Sequence, residues 1–204
     1  MLELGIFGGT FNPIHYGHLN IAEFARQKFS LTKVIFVTAA RPPHRGLPDI
    51  DMHLRHDLVQ LAIASNKYFE ASTIELGRSG PSYTIDTLES FRTEYGANCR
   101  LNYIVGEDNI KGLPTWHRAK ELSRICRFLI APRLGGAVLE ESLQELRHNF
   151  PKVEAAAVNS PIIEFSSTTI RERLTKGQSI KYMVPESVEE KLLSLNFELK
   201  IGSN

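Results

Sequence analysis

Leu4-Gly5-Ile6-Phe7-Gly8-Gly9-Thr10-Phe11-Asn12-Pro13-Ile14-His15-Tyr16-Gly17-His18 is the stretch on which the reading of this chain turns. Leu4 to Phe7 is a short apolar run that predicts a buried strand. Gly8 and Gly9 follow at once, and paired glycines let backbone amides come close to an anion. A helix opening near Gly17 aims its positive end at the same place. His15 and His18 are spaced so that a helical turn puts both imidazoles on one side. From Leu4 to Ala22 the chain carries no Asp, Glu, Lys or Arg for 19 residues. That length raises a membrane span, but four Gly, one Pro, two Asn and two His would be costly in a bilayer. A strand, a glycine turn and a buried helix start account for the stretch better, and no membrane partner is expected.

Other readings of the same stretch lack their marks. G-x-G-x-x-G occurs nowhere in the chain, and neither does a loop ending in Gly-Lys-Ser/Thr. A zinc site would need a third protein ligand, and none lies nearby in sequence, so no protein-ligated metal is expected. His53-Leu54-Arg55-His56 repeats the His-x-x-His spacing within a charged amphipathic helix that has no glycine turn. There the pattern is read as a solvated face.

Outward from this stretch, apolar runs alternate with helical patterns. Val34-Ile35-Phe36-Val37, Thr73-Ile74-Glu75-Leu76, Leu101–Val105, Phe128–Ala131 and Val153–Val158 predict strands. Ile21, Ala22, Ala25 and Phe29 recur at helical spacing. So do Leu54, Leu58, Leu61 and Ala62, in a helix opened by Asp49 or Asp51. Thr84–Tyr95, Val138–Phe150, Thr168–Leu174 and Glu186–Leu195 complete the helices. Continuous apolar strands between helices predict an α/β fold, a doubly wound parallel sheet with helices on both faces. Such sheets bind ligands beyond the C-terminal ends of their strands, at the topological switch point.

The chain has 204 residues, 42% hydrophobic and 23% charged, ordinary globular values that exclude disordered, collagen-like and coiled-coil classes. With no repeat and no linker-like composition shift, residues 1–204 are expected to form one domain. The 24 basic and 23 acidic residues leave a net charge of +1, which disfavours a nucleic-acid partner. Only Cys99 and Cys126 are present, so a disulfide framework is not expected. No basic, apolar leader opens the chain, and a cytoplasmic enzyme is the expectation.

Gly-Gly-Thr-Phe-Asn-Pro-Ile-His-Tyr-Gly-His at positions 8–18 resembles the signature of the nucleotidyltransferase superfamily that carries a His-x-Gly-His motif, and within it the bacterial nicotinate-nucleotide adenylyltransferases. Further segments agree in order: Pro42-Pro43-His44-Arg45, Arg78-Ser79-Gly80-Pro81-Ser82-Tyr83-Thr84-Ile85-Asp86-Thr87-Leu88, Gly106-Glu107-Asp108, Leu113-Pro114-Thr115-Trp116-His117 and Phe165-Ser166-Ser167-Thr168-Thr169-Ile170-Arg171. The family favours Lys where this chain has Arg45, and Ala or Ser where it has Glu107.

The resemblance implies a Rossmann-like nucleotidyltransferase fold and transfer of the adenylyl group of ATP to nicotinate mononucleotide, giving deamido-NAD and pyrophosphate. It implies His15, His18 and Arg171 as the residues of catalysis. ATP would meet Gly8, Gly9, His15, His18, Gly106, Asp108, Ser167, Thr168 and Arg171, with Asp108 on the ribose. Ser167 and Thr168 stand where a helix cap would stand. The mononucleotide would meet Thr10, Phe11, His44, Arg45, Thr84, Trp116 and His117, with Trp116 stacked on the pyridine and backbone amides near Thr84 and His117 on the nicotinate carboxylate. Mg²⁺ would arrive carried by the phosphates. The C-terminal helices from about residue 166 would pack on the core. Two alternatives stay open: an enzyme accepting nicotinamide mononucleotide as well or instead, and a non-catalytic pyridine-nucleotide sensor.

Overall fold

A computed structural model describes residues 1–42, 50–132 and 136–195. Six strands form one sheet: β1 (Leu2–Gly9), β2 (Lys33–Thr38), β3 (Phe69–Ser72), β4 (Cys99–Gly106), β5 (Arg127–Ala131) and β6 (Ala155–Ala157). Every pairing is parallel, in the order β3-β2-β1-β4-β5-β6. The order reverses between β1 and β4, so the switch point lies where Gly8 and Gly9 leave the sheet.

Among the described residues five helices connect the strands, α1 (Tyr16–Lys28), α2 (Met52–Ile63), α3 (Thr84–Tyr95), α4 (Ala119–Ile125) and α5 (Gly136–Asn149), and two follow β6, α6 (Ser167–Thr175) and α7 (Glu186–Ser194). Side chains alternate across a strand, and here both sides are buried. Leu4, Ile6, Leu101, Tyr103, Phe128 and Ile130 pack with residues of α3, α4 and α5. Phe7, Phe36, Ile104 and Leu129 pack on the other side with Ala22, Leu58, Ile170 and Val188. The continuous apolar strand runs in the sequence are the mark of this double coverage.

Several expectations need correction. Thr73–Leu76 is not a strand. β3 ends at Ser72, and the Leu76 amide turns back to the Thr73 carbonyl at 2.9 Å. The strand lies four residues earlier, at Phe69–Ser72, where Phe69 packs on Phe36 with ring centroids 5.2 Å apart. The expected strand Val153–Val158 is reduced to Ala155–Ala157. Helix α4 and two 3-10 turns, Glu107–Asn109 and Leu113–Thr115, were not expected.

In α2 the expected core position Leu61 is 38% exposed. The buried stripe is Arg55, Leu58, Val59 and Ala62. The solvated-face reading of His53-x-x-His56 therefore holds for His53 and fails for His56, which is buried along with Arg55. Asp51 caps this helix, accepting from the His53 amide at 2.8 Å. Asp49 lies outside the described residues.

Candidate active site

Beyond the C-terminal ends of β1 and β4 lies a cavity of about 760 Å³. Its wall includes Gly8, Gly9, Thr10, Phe11, Asn12, His15 and His18 from the loop after β1, and Gly106 and Asp108 from the end of β4. Thr84, Trp116 and His117 line one end, and Ser167, Thr168 and Arg171 of α6 line another side. The sequence stretches quoted above thus converge on one space. His44 and Arg45 lie outside the described residues; Pro42, just before them, lines the cavity.

The loop after β1 is tightly built. A Cβ on Gly9 would stand 2.8 Å from the Phe11 ring, so only glycine fits under that aromatic. Phe11 itself sits in the left-handed region at φ 44°, and its ring meets Phe7 and His18 edge-on at centroid distances of 5.6 and 5.1 Å. His15 occupies the N-cap of α1. The His15 and His18 rings lie 3.7 Å apart, tilted by 31°. The His15 amide donates to His18 Nδ1 at 3.3 Å. A neutral imidazole that accepts at Nδ1 carries its proton on Nε2, so His18 is set up as an Nε2–H donor. A Cβ on Gly17 would come within 2.9 Å of the His15 ring, which is why the residue just before His18 is glycine.

Helix α6 is locked to the same loop. Its cap is Ser166, whose Oγ accepts from the Thr169 amide at 3.0 Å, one residue before the expected cap. Ser167 instead donates to the Pro13 carbonyl at 2.9 Å, and Arg171 Nη1 donates to the Asn12 carbonyl at 2.9 Å. The N-terminal turn of α6, its positive end, therefore stands beside the histidine pair.

A second group of aromatic side chains lines the cavity around Thr84. Tyr83 stacks on His117 at 4.3 Å, and Trp116 meets Tyr103 edge-on at 6.2 Å. Helix α3 begins here at Thr84, and its N-cap, Tyr83, supplies no side-chain hydrogen bond to the first-turn amides. Arg118, in the left-handed region at φ 53°, holds this corner shut. Its guanidinium bonds Glu89 twice, at 3.0 and 2.7 Å, and Glu121 at 3.0 and 2.5 Å. That ties the Trp116–His117 turn to α3.

Sequence reasoning missed Glu75, Ser82, Tyr83 and Tyr103 as cavity residues. Ser82 and Tyr83 stood inside a quoted segment and could have been found there. Glu75 was hidden by the strand expectation. Its carboxylate accepts from Thr87 Oγ1 at 2.6 Å. Burial pushes its pKa above the usual carboxylate range, against the opposing hydrogen bond from Thr87. Glu107 is buried and does not appear in the cavity wall. Asp108 sits in the 3-10 turn after β4, where Oδ1 accepts from Asn109 Nδ2 at 3.1 Å. Among the described residues, no three His, Cys, Asp or Glu side chains gather to hold a metal ion. Nor is any described helix long and apolar enough to cross a membrane.

Residues 6–173 match the family model described as cytidylyltransferase-like. A "Probable nicotinate-nucleotide adenylyltransferase" of Thermoanaerobacter sp. is 46% identical over 191 residues, covering 92% of this chain and 90% of that protein. A protein of the same description from Moorella thermoacetica is 46% identical over 199 residues, covering 94% of this chain and 89% of its own. Among solved structures, Plasmodium falciparum nicotinic acid mononucleotide adenylyltransferase complexed with NaAD superposes with a TM-score of 0.79. It shares 21% identity and covers 97% of this chain and 98% of its own, a likeness of fold.

Proposed function

The chain belongs to the cytidylyltransferase-like family and, within it, to the nicotinate-nucleotide adenylyltransferases, and from that premise we propose that it joins ATP and nicotinate mononucleotide into deamido-NAD. The mononucleotide phosphate oxygen forms a bond to the α-phosphorus of ATP, the bond from that phosphorus to the bridging oxygen breaks, and pyrophosphate leaves. The nucleophile is already ionised, so no general base is required. Catalysis then rests on alignment of two anions and on stabilisation of developing charge. The observation that carries this reading is the meeting of the histidine pair, the glycine turn and the start of α6 in one cavity whose other end is aromatic.

Roles follow from position. Gly8 and Gly9 amides, His15, His18 and the Ser167–Thr168 turn suit the triphosphate, and Arg171 adds a fixed charge beside them. Asp108, with Gly106 beside it, suits ribose hydroxyls. Thr10 and Phe11 suit the mononucleotide phosphate, Trp116 its pyridine, and the amides near Thr84 and His117 its carboxylate. The assignment of Arg45 to that phosphate, and of His44 to the same mononucleotide site as a support for the loop, rests on the sequence resemblance alone.

With no protein cage among the described residues, a divalent cation, which we take as Mg²⁺, would enter on the triphosphate and neutralise part of its charge. Two free, buried cysteines suit the reducing cytoplasm we propose as its compartment. Ile170 of α6 and Val188 and Leu192 of α7 are buried against the sheet, which supports reading 1–204 as one domain with its C-terminal helices packed on the core.

The test is product analysis. Purified protein with ATP, nicotinate mononucleotide and Mg²⁺ should release deamido-NAD and pyrophosphate in equal amounts. Binding of the nucleotides without turnover would favour the sensor reading instead.

A further inference from the structure

Arg55 is 0% exposed and heads the largest fully buried side chains described. A guanidinium is expensive to bury unless its donors are all engaged. Among the described residues no carboxylate lies within ion-pair distance of it. Its partners are backbone carbonyls from three separate segments. Nε donates to Ile50 at 2.9 Å, Nη1 to Thr10 at 2.6 Å and to Ala39 at 2.9 Å, and Nη2 reaches Ala40 at 3.5 Å. One side chain thus fastens together the loop after β1, the exit of β2 and the start of α2. Asn12 reinforces the junction by accepting from the Ile50 amide at 3.1 Å.

The contact with Thr10 bears on the cavity. The only cis peptide described is Asn12–Pro13, so the Thr10–Phe11 peptide is trans, and its C=O and N–H point in opposite directions. With the carbonyl turned back onto Arg55, the Phe11 amide is turned away from it. Thr10 and Phe11 both line the cavity. The left-handed backbone of Phe11, a region side-chain-bearing residues rarely adopt, is the conformation this arrangement maintains. A carbonyl held by a buried cation is polarised, and the N–H of the same peptide becomes a better donor. Resting on the adenylyltransferase reading above, we infer that Arg55 is a positioning residue for the mononucleotide: it grips the Thr10 carbonyl from behind and presents the Phe11 amide, strengthened as a donor, to the phosphomonoester. Arg55 itself touches no substrate. Its reach over three segments needs the planar fork. A lysine ammonium is a compact point charge that cannot span them.

The experiment compares wild type, Arg55→Lys and Arg55→Ala for thermal stability and for kcat and KM of each substrate, at a temperature where each is folded. Wild-type turnover is the control: if wild type makes no deamido-NAD, the functional reading fails and not this inference alone. With wild type active, Arg55→Lys should raise KM for nicotinate mononucleotide at least tenfold while KM for ATP changes less than threefold. A folded Arg55→Lys enzyme with unchanged constants overturns the inference and leaves Arg55 a structural staple. Since both variants can fail to fold, the second measurement is on wild type. Saturation with the mononucleotide should move the Phe11 amide proton downfield and shift the Arg55 Nε–H signal, both observed by ¹⁵N-resolved NMR. Either signal standing still overturns the inference regardless of the variants.

Discussion

His18 shows how a single side chain acquires its role from its neighbours. The His15 amide on Nδ1 fixes which nitrogen donates, and the Phe11 and His15 rings on either side fix where it points. Such a preset donor contributes most where charge develops. Replacing His18 with Ala should lower kcat by about 10²–10³, the range seen when one stabilising donor is lost, with a much smaller effect on KM. Near-normal kcat in this variant would reduce His18 to a structural residue. Trp116, the single tryptophan, offers a probe at the other end of the cavity. Its emission should quench or shift on saturation with mononucleotide and change less with ATP alone. An unaltered spectrum would place its role in packing against Tyr103 instead of on the pyridine.

Among the elements, α2 carries the clearest correction. Its apolar residues suggested a stripe through Leu61, but the buried face runs through Arg55 and Leu58–Val59. Next to Arg55, neither ring nitrogen of His56 has a hydrogen-bond partner among the described residues. Burial holds its pKa below the ordinary histidine value, with Asp57 opposing and His53 adding to the shift. A base whose folded pKa is lowered favours the fold while neutral. Its contribution is complete above the unfolded value of about 6.5 and is lost as pH falls below it. The melting temperature should therefore drop between pH 7 and pH 5, and His56→Leu should flatten that part of the profile. Parallel profiles for the two proteins would show that His56 protonates without cost. The strands β1, β2, β4 and β5 were legible because their apolar runs have no competing period. So was the glycine turn after β1, which leads from the strand into α1 as its sequence predicts. β3 was displaced because Thr73–Leu76 alternates like a strand, while the contact that decides, Phe69 on Phe36, joins residues far apart in sequence. Buried Arg55 and Glu75 were illegible for the same reason: carbonyls of the folded chain engage Arg55 and the Thr87 hydroxyl engages one oxygen of Glu75, and local sequence records none of these.

At the scale of the whole molecule, two helix N-termini, those of α3 and α6, meet one cavity beyond the ends of β1 and β4. The start of α6 stands beside the histidine pair, and the start of α3 faces the aromatic end. On the proposed function, two anionic groups on two substrates would occupy that cavity. First-turn amides of α3 that receive no side-chain cap are donors, and an acceptor-only carboxylate suits them. A carboxamide must direct its NH₂ somewhere, and a donor facing a donor loses its partner.

The difference between acid and amide should amount to roughly 2–4 kcal/mol, or about 30- to 1000-fold in kcat/KM. The most direct measurement is kcat/KM for nicotinate mononucleotide and for nicotinamide mononucleotide, each at saturating ATP and Mg²⁺. The acid should be preferred by at least tenfold; equal values, or a preference for the amide, would contradict the account.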